Sequence, residues 1–235
     1  HCALDGTGLA KLPNANPAHI IHECMVNDDW GKAEDPNLID LPSFEAAAQT
    51  LYAERFGLSL RWTGQAKISA FVQEILDHIN AVLFQHPRTG LWTLRLLRDD
   101  YDPNALEVLD ETNCRAENRK RRAWGETINE IVVSYTNPED ETEATVTAHN
   151  LGNISIQGGV VSETRDYYGI RDPYLAQRVA NRDVRSAGYP LFSAQITANR
   201  SQWDGVPGDV RKFSWAEDGI QEMIVRAGVE TSGAE

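Results

Sequence analysis

The sequence predicts an α+β protein: a small helix-plus-antiparallel-sheet subdomain, then a β-barrel-like domain with one flanking helix. Three observations predict it. Residues 67–101 read as an amphipathic helix, a tight hairpin and an acidic exit. From residue 127 onward the pattern is mainly that of strands. A single well-capped helix, 173–187, interrupts that second half.

Residues 1–15 are small, polar and turn-rich, and read as an entry loop. Asp5-Gly6-Thr7-Gly8 within them lacks the Lys-Ser/Thr and the spacing of a phosphate loop. Asn16-Pro17 starts a helix well, since Asn caps and Pro has no N–H to leave unpaired. Ile20, Ile21, Cys24 and Met25 form its apolar face, and Gly31 is the expected stop. Residues 32–42 read as a polar connection, Ser43 as the next N-cap, and Phe44, Ala47, Ala48, Leu51 and Tyr52 as that helix's stripe. Leu58 to Trp62 alternates as a short strand, and Thr63-Gly64 leads on to the central helix.

Residues 67–80 place Ile68, Phe71, Val72, Ile75, Leu76 and Ile79 on one helical face, with His78 on the polar side. Ala81 to Phe84 and Leu91 to Leu97 read as strands around the turn Pro87-Arg88-Thr89-Gly90. These elements group as an α+β subdomain over 16–101. Residues 102–126 read as a charged linker, with the basic run Arg119 to Arg122 as a solvated or ion-paired surface. The β domain then spans 127–230, with a tail at 231–235. Its strands are expected at 128–135, 143–149, 191–198, 210–215 and 220–229. Gly152, Gly158 and Gly159 are expected to mark turns or a bulge. The helix 173–187 has Asp172 as cap, Pro173 at its first position and Gly188 at its end.

Composition narrows the function. At 235 residues, 41% hydrophobic and 24% charged, the chain has the balance of a globular protein with a sizeable core. A net charge of −13 opposes general nucleic-acid binding. No apolar run approaches the ~20 residues of a membrane helix, and no basic, apolar leader pattern is present. Three scattered cysteines fit reduced thiols rather than a disulfide framework. The chain starts at His1 in what reads as interior sequence, so a part of a longer or processed chain is expected.

No catalytic, cofactor-binding or metal-binding residue is expected. His19 and Glu23 are four apart, but no third ligand and no H-E-x-x-H pattern accompany them. There is no G-x-S-x-G and no C-x-x-C. Asp99, Asp100 and Asp102 read as a solvated strand end rather than a carboxylate pair. Tyr167, Tyr168 and Trp203 read as core or rim packing rather than a sugar platform.

Several stretches, in order, carry a family resemblance. They are Asp5-Gly6-Thr7, Asn16-Pro17-Ala18, Trp30-Gly31, Phe56-Gly57-Leu58-Ser59-Leu60 and the Gly90 hairpin. They continue with Asn129-Glu130-Ile131-Val132-Val133-Ser134-Tyr135, Tyr168-Gly169-Ile170, the helix Leu175 to Arg185, and Pro207-Gly208-Asp209-Val210. Together they resemble the central hub and tail-tip attachment proteins of long-tailed bacteriophages. Asn27-Asp28-Asp29 departs from the more basic turn of relatives.

The resemblance implies a virion protein at the tail tip, made in the bacterial cytoplasm, trimeric when full length and without enzymatic activity or cofactor. It would cap the tail tube, contact other tail-tip proteins and let DNA pass through the lumen without specific binding. It implies a tube-like domain over 125–230 and an insertion over 16–101. The alternatives are a tail-associated cell-wall hydrolase using Asp99 or Asp100, and a carbohydrate-binding module using Trp203.

Overall fold

The computed structural model describes residues 14–62, 67–199 and 205–228. The expected entry loop up to residue 13, Thr63-Gly64, Trp203 and the 231–235 tail lie outside them. The chain is α+β, and its contacts group it into two compact units. One takes the chain up to Glu34, Glu45–Ile79 and Arg121–Phe192. The other takes Asp35–Phe44, Asn80–Lys120 and the chain from Ser193 onward.

In the first unit, helix α1 (Pro17–Val26) begins as expected, with the Asn16 side chain accepting from the Ala18 N–H. The same side chain donates to the Ala48 carbonyl of helix α2 (Leu41–Ala53), joining the two helices. Helix α1 ends short of the expected Trp30-Gly31. The Asn27 side-chain oxygen takes the N–H groups of Asp29 and Trp30 and turns the chain there. The strand expected at 58–62 does not form. Leu58 makes an isolated bridge to Ala15, while the Ser59 N–H goes to Gly169, so no single partner supports a ladder.

Helix α3 (Ile68–Ile79) buries Phe71, Val72, Ile75, Leu76 and Ile79, as the 3.6-residue period requires. It also buries His78, which the period places on the polar side.

The sheet of this unit has strand β5 (Glu130–Thr136) at its centre. β6 (Glu143–His149) pairs with it antiparallel and β7 (Ser162–Asp166) parallel. Ile131 and Val133 of β5 are fully buried, and α5 (Pro173–Ala187) covers β5 and β6. Two elements were not legible in the sequence. Helix α4 (Leu151–Gln157) is capped by Asn150 and closed by Gly158 at φ +74°, so Gly158 and Gly159 form a turn, as expected, while Gly152 lies inside the helix. β7 is Ser-Glu-Thr-Arg-Asp, with no apolar alternation to read.

In the second unit, β1 (Ala81–Gln85) and β2 (Trp92–Leu96) form the expected hairpin. Gly90 at φ +71° closes the turn by donating to the His86 carbonyl. Ser43 is not the N-cap of α2 but lies in its first turn. Its hydroxyl donates to the Asp40 carbonyl and accepts from the Leu94 N–H. Strands β9 (Val210–Trp215) and β10 (Ile220–Arg226) form the expected closing hairpin, and β3 (Val108–Leu109) adds parallel to β9.

β4 (Cys114–Arg121) pairs with β8 (Phe192–Ala198). The stretch 102–126, expected as a linker, therefore carries two strands. Its charges disguised them: Arg119 is held by Glu217 and Asp218 and lies over the Trp215 ring. The strands of 127–230 find their hydrogen-bonded neighbours in three groups. Those before residue 167 pair among themselves, while β8, β9 and β10 join β4 and β3. Alternation marks the apolar side of a strand, but not its neighbour.

Candidate functional site

Two features of the first unit organise its surface and interior. The interior one is a buried charged cluster. Asp183, on the inner face of α5, keeps 5% of its side chain exposed. It accepts from the Tyr167 hydroxyl at 2.6 Å, from Arg182 at 2.8 Å and from Arg165 at 3.0 Å. Arg165 also meets Glu163 at 2.7 Å. Burial works against the Arg165 charge, but Glu163 and Asp183 outweigh it and raise its pKa. Burial and the Asp183 carboxylate push the Tyr167 hydroxyl up to about 12, so it stays a donor.

Arg182 reaches on to the carbonyl of His78 at 2.9 Å, joining α5 to the end of α3. The His78 ring stands edge-on to Tyr167 at 4.9 Å. Its Nδ1 donates to the Glu74 carbonyl at 2.7 Å, which fixes the tautomer, while Nε2 is buried with no hydrogen-bond partner among the described residues. Burial, aided by Arg182, lowers the His78 pKa from 6.5 despite the opposing effects of Glu74 and Asp77.

The folded state thus binds the proton less readily than the unfolded chain. His78 costs no stability above about pH 6.5, and stability is lost as pH falls below that value. The expected result is that His78→Phe flattens the decline in urea stability between about pH 6.5 and 5. Parallel profiles for the two proteins would show that other groups set the acid limit.

The surface feature lies at the end of the sheet where β5 begins. Asn129, fully buried, donates to the Gly159 carbonyl and accepts from the Val161 N–H. Asn153 of α4 donates to Thr127 and to the Gly188 carbonyl, and Gln157 donates to Thr127. These bonds satisfy the backbone of four converging segments. They leave Trp124, Leu151, Ile156, Val160, Tyr189 and Leu191 exposed, with the Trp124 and Tyr189 rings 6.4 Å apart. Arg121 and Arg122 lie beside them, the latter's N–H bonded to the Leu191 carbonyl. An exposed apolar group of this kind marks an interaction surface more than a reaction centre.

The residues weighed for chemistry stay apart. His19 is half-buried, with its pKa lowered by burial and by His22, and Glu23 accepts from the Asn27 side chain. No three His, Cys, Asp or Glu residues gather as metal ligands among the described residues. Burial raises the thiol pKa of Cys24 to about 11, and that of Cys114 also lies above its usual value. Asp99 is 95% exposed beside Arg226 at 3.6 Å, without the burial that makes a carboxylate a general acid. Tyr167 is core rather than a sugar platform, whereas Tyr168 is exposed. Sequence reading missed Asp183. Its signal was an acidic residue set between Val179, Ala180 and Val184 on the apolar face of α5.

No helix among the described residues is long and apolar enough to cross a membrane. The sequence model of the family described as "Putative phage tail protein" matches residues 67–226, and the chain belongs to this family.

The fold is similar to that of a chain in the virion of the native gene transfer agent (GTA) particle. The TM-score is 0.56 at 17% identity, over 72% of this chain and 37% of that one. The tail protein from Neisseria meningitidis MC58 aligns with a TM-score of 0.48 at 12% identity, over 72% of this chain and 51% of that one. The chain thus spans about a third and about half of those two chains. No curated protein matches it.

Proposed function

We propose that this phage tail protein is part of a central hub or tail-tip protein, which caps the tail tube and supports the tip used for attachment and DNA passage. The observation that carries the reading is the family match over 67–226, which spans α3, the hairpin, the three-stranded sheet and the closing strands. The ordered motifs from Asn16-Pro17 to Pro207-Gly208-Asp209-Val210 support the hub assignment within the family. In this reading 16–101 is the insertion and 127–230 the tube-like domain, with helix 173–187 on its flank.

The protein acts mechanically, by assembly, as a trimer of the full-length protein with other tail-tip proteins around it. Three copies at −13 each favour a lumen past which DNA slides without adhering. Mass spectrometry of dissociated, purified tails tests this. The expected result is this sequence within tails at about three copies each, as a closed threefold assembly requires. Complete tails without it would overturn the reading.

A further inference from the structure

The first unit carries two ends of opposite chemistry, one at each end of the β6–β5–β7 sheet. At one end, Arg121 and Arg122 flank the exposed Trp124 and Tyr189. Both residues are exposed, and neither joins an ion pair among the described residues. At the other end, β5 turns into β6 through Glu139, Asp140 and Glu141, with Glu143 opening β6; all four are exposed. Asp140 holds the turn through Thr142, and Glu141 lies 3.6 Å from Arg171.

Exposed aromatics accompany the acids. The Tyr168 carbonyl is tied to Thr136 at the end of β5, and Tyr174 opens α5. A seven-residue strand separates the two ends by about 20 Å. They cannot satisfy each other within one copy.

We propose that these ends meet between copies, the acidic hairpin of one chain seating on the arginine-flanked aromatic face of the next. The inference rests on the tail-assembly reading. Charge complementarity selects the occupant: a cationic apolar face matches an anionic aromatic end, and a second copy supplies one. Because the two surfaces differ, the contact is head-to-tail, the type that closes into rings or extends into filaments. Trp124 and Tyr189 form the apolar centre of the interface, and the charges set its register.

A charge swap on the 235-residue chain tests it, read by sedimentation velocity at low salt. One variant carries R121E and R122E; the other carries E139K, D140K and E141K. In each variant alone, like charges face each other, and association is expected to weaken by about tenfold or more. Mixed in equal amounts, the two variants present complementary ends again, and association is expected to recover. Recovery also shows that both variants are folded. A monomeric parent chain, variants that associate like the parent, or a mixture that fails to recover would each overturn the contact. If the contact fails while the chain is found in purified tails, the tail reading stands. If the mixture recovers while tails lack the chain, the contact stands and the tail reading falls.

Discussion

Asp183→Ala is expected to lower the unfolding free energy by about 3–5 kcal/mol, the range for removing one partner from a buried ion pair. The carboxylate is the shared acceptor for Tyr167 and Arg165 at the end of β7 and for Arg182 beside it on α5. Without it, two guanidinium groups confront each other, and the buried Tyr167 hydroxyl loses its acceptor. Arg165 retains Glu163 and Arg182 retains the His78 carbonyl, so the cluster is weakened rather than erased. Asp183→Asn keeps an acceptor for Tyr167 but removes the charge, and its loss is expected to be smaller. Urea unfolding checks both: the midpoint should fall with an unchanged slope. A loss for Asp183→Ala under about 1 kcal/mol would place the cluster with ordinary surface pairs.

The second large effect is expected in the other compact unit. Phe213 is fully buried at the middle strand of β10–β9–β3 and stacks on Trp215, with ring centroids 5.6 Å apart and planes 8° from parallel. Phe213→Ala removes most of the ring's apolar contact and leaves a cavity bounded by strands that hydrogen bonds hold in place. The expected cost is about 3–5 kcal/mol. Ile224→Ala on β10 is the control, since that side chain is 43% exposed, and its effect is expected to stay within about 1 kcal/mol. Equal losses for both would show that strand propensity, rather than burial, governs this sheet.

By itself the sequence determined the elements whose evidence is local. The period of α3, the Asp172-Pro173 start of α5, the Asn16 cap of α1 and the Gly90 hairpin are all present. Each rests on neighbours within a turn or two, where backbone geometry and side-chain period act directly. The family resemblance to phage tail proteins was legible too, through short motifs in a fixed order.

Tertiary structure decided what depends on distant partners. β7 and β4 are strands despite polar sequences, because β5 and β8 supply their hydrogen bonds. His78 and Asp183 lie inside despite their polarity, because Tyr167 and the arginines meet them there. The pairing of β8 with β4, and of β9 with β3, was set for the same reason. A strand's own residues specify which side is apolar, whereas its neighbour is chosen by packing across the whole chain.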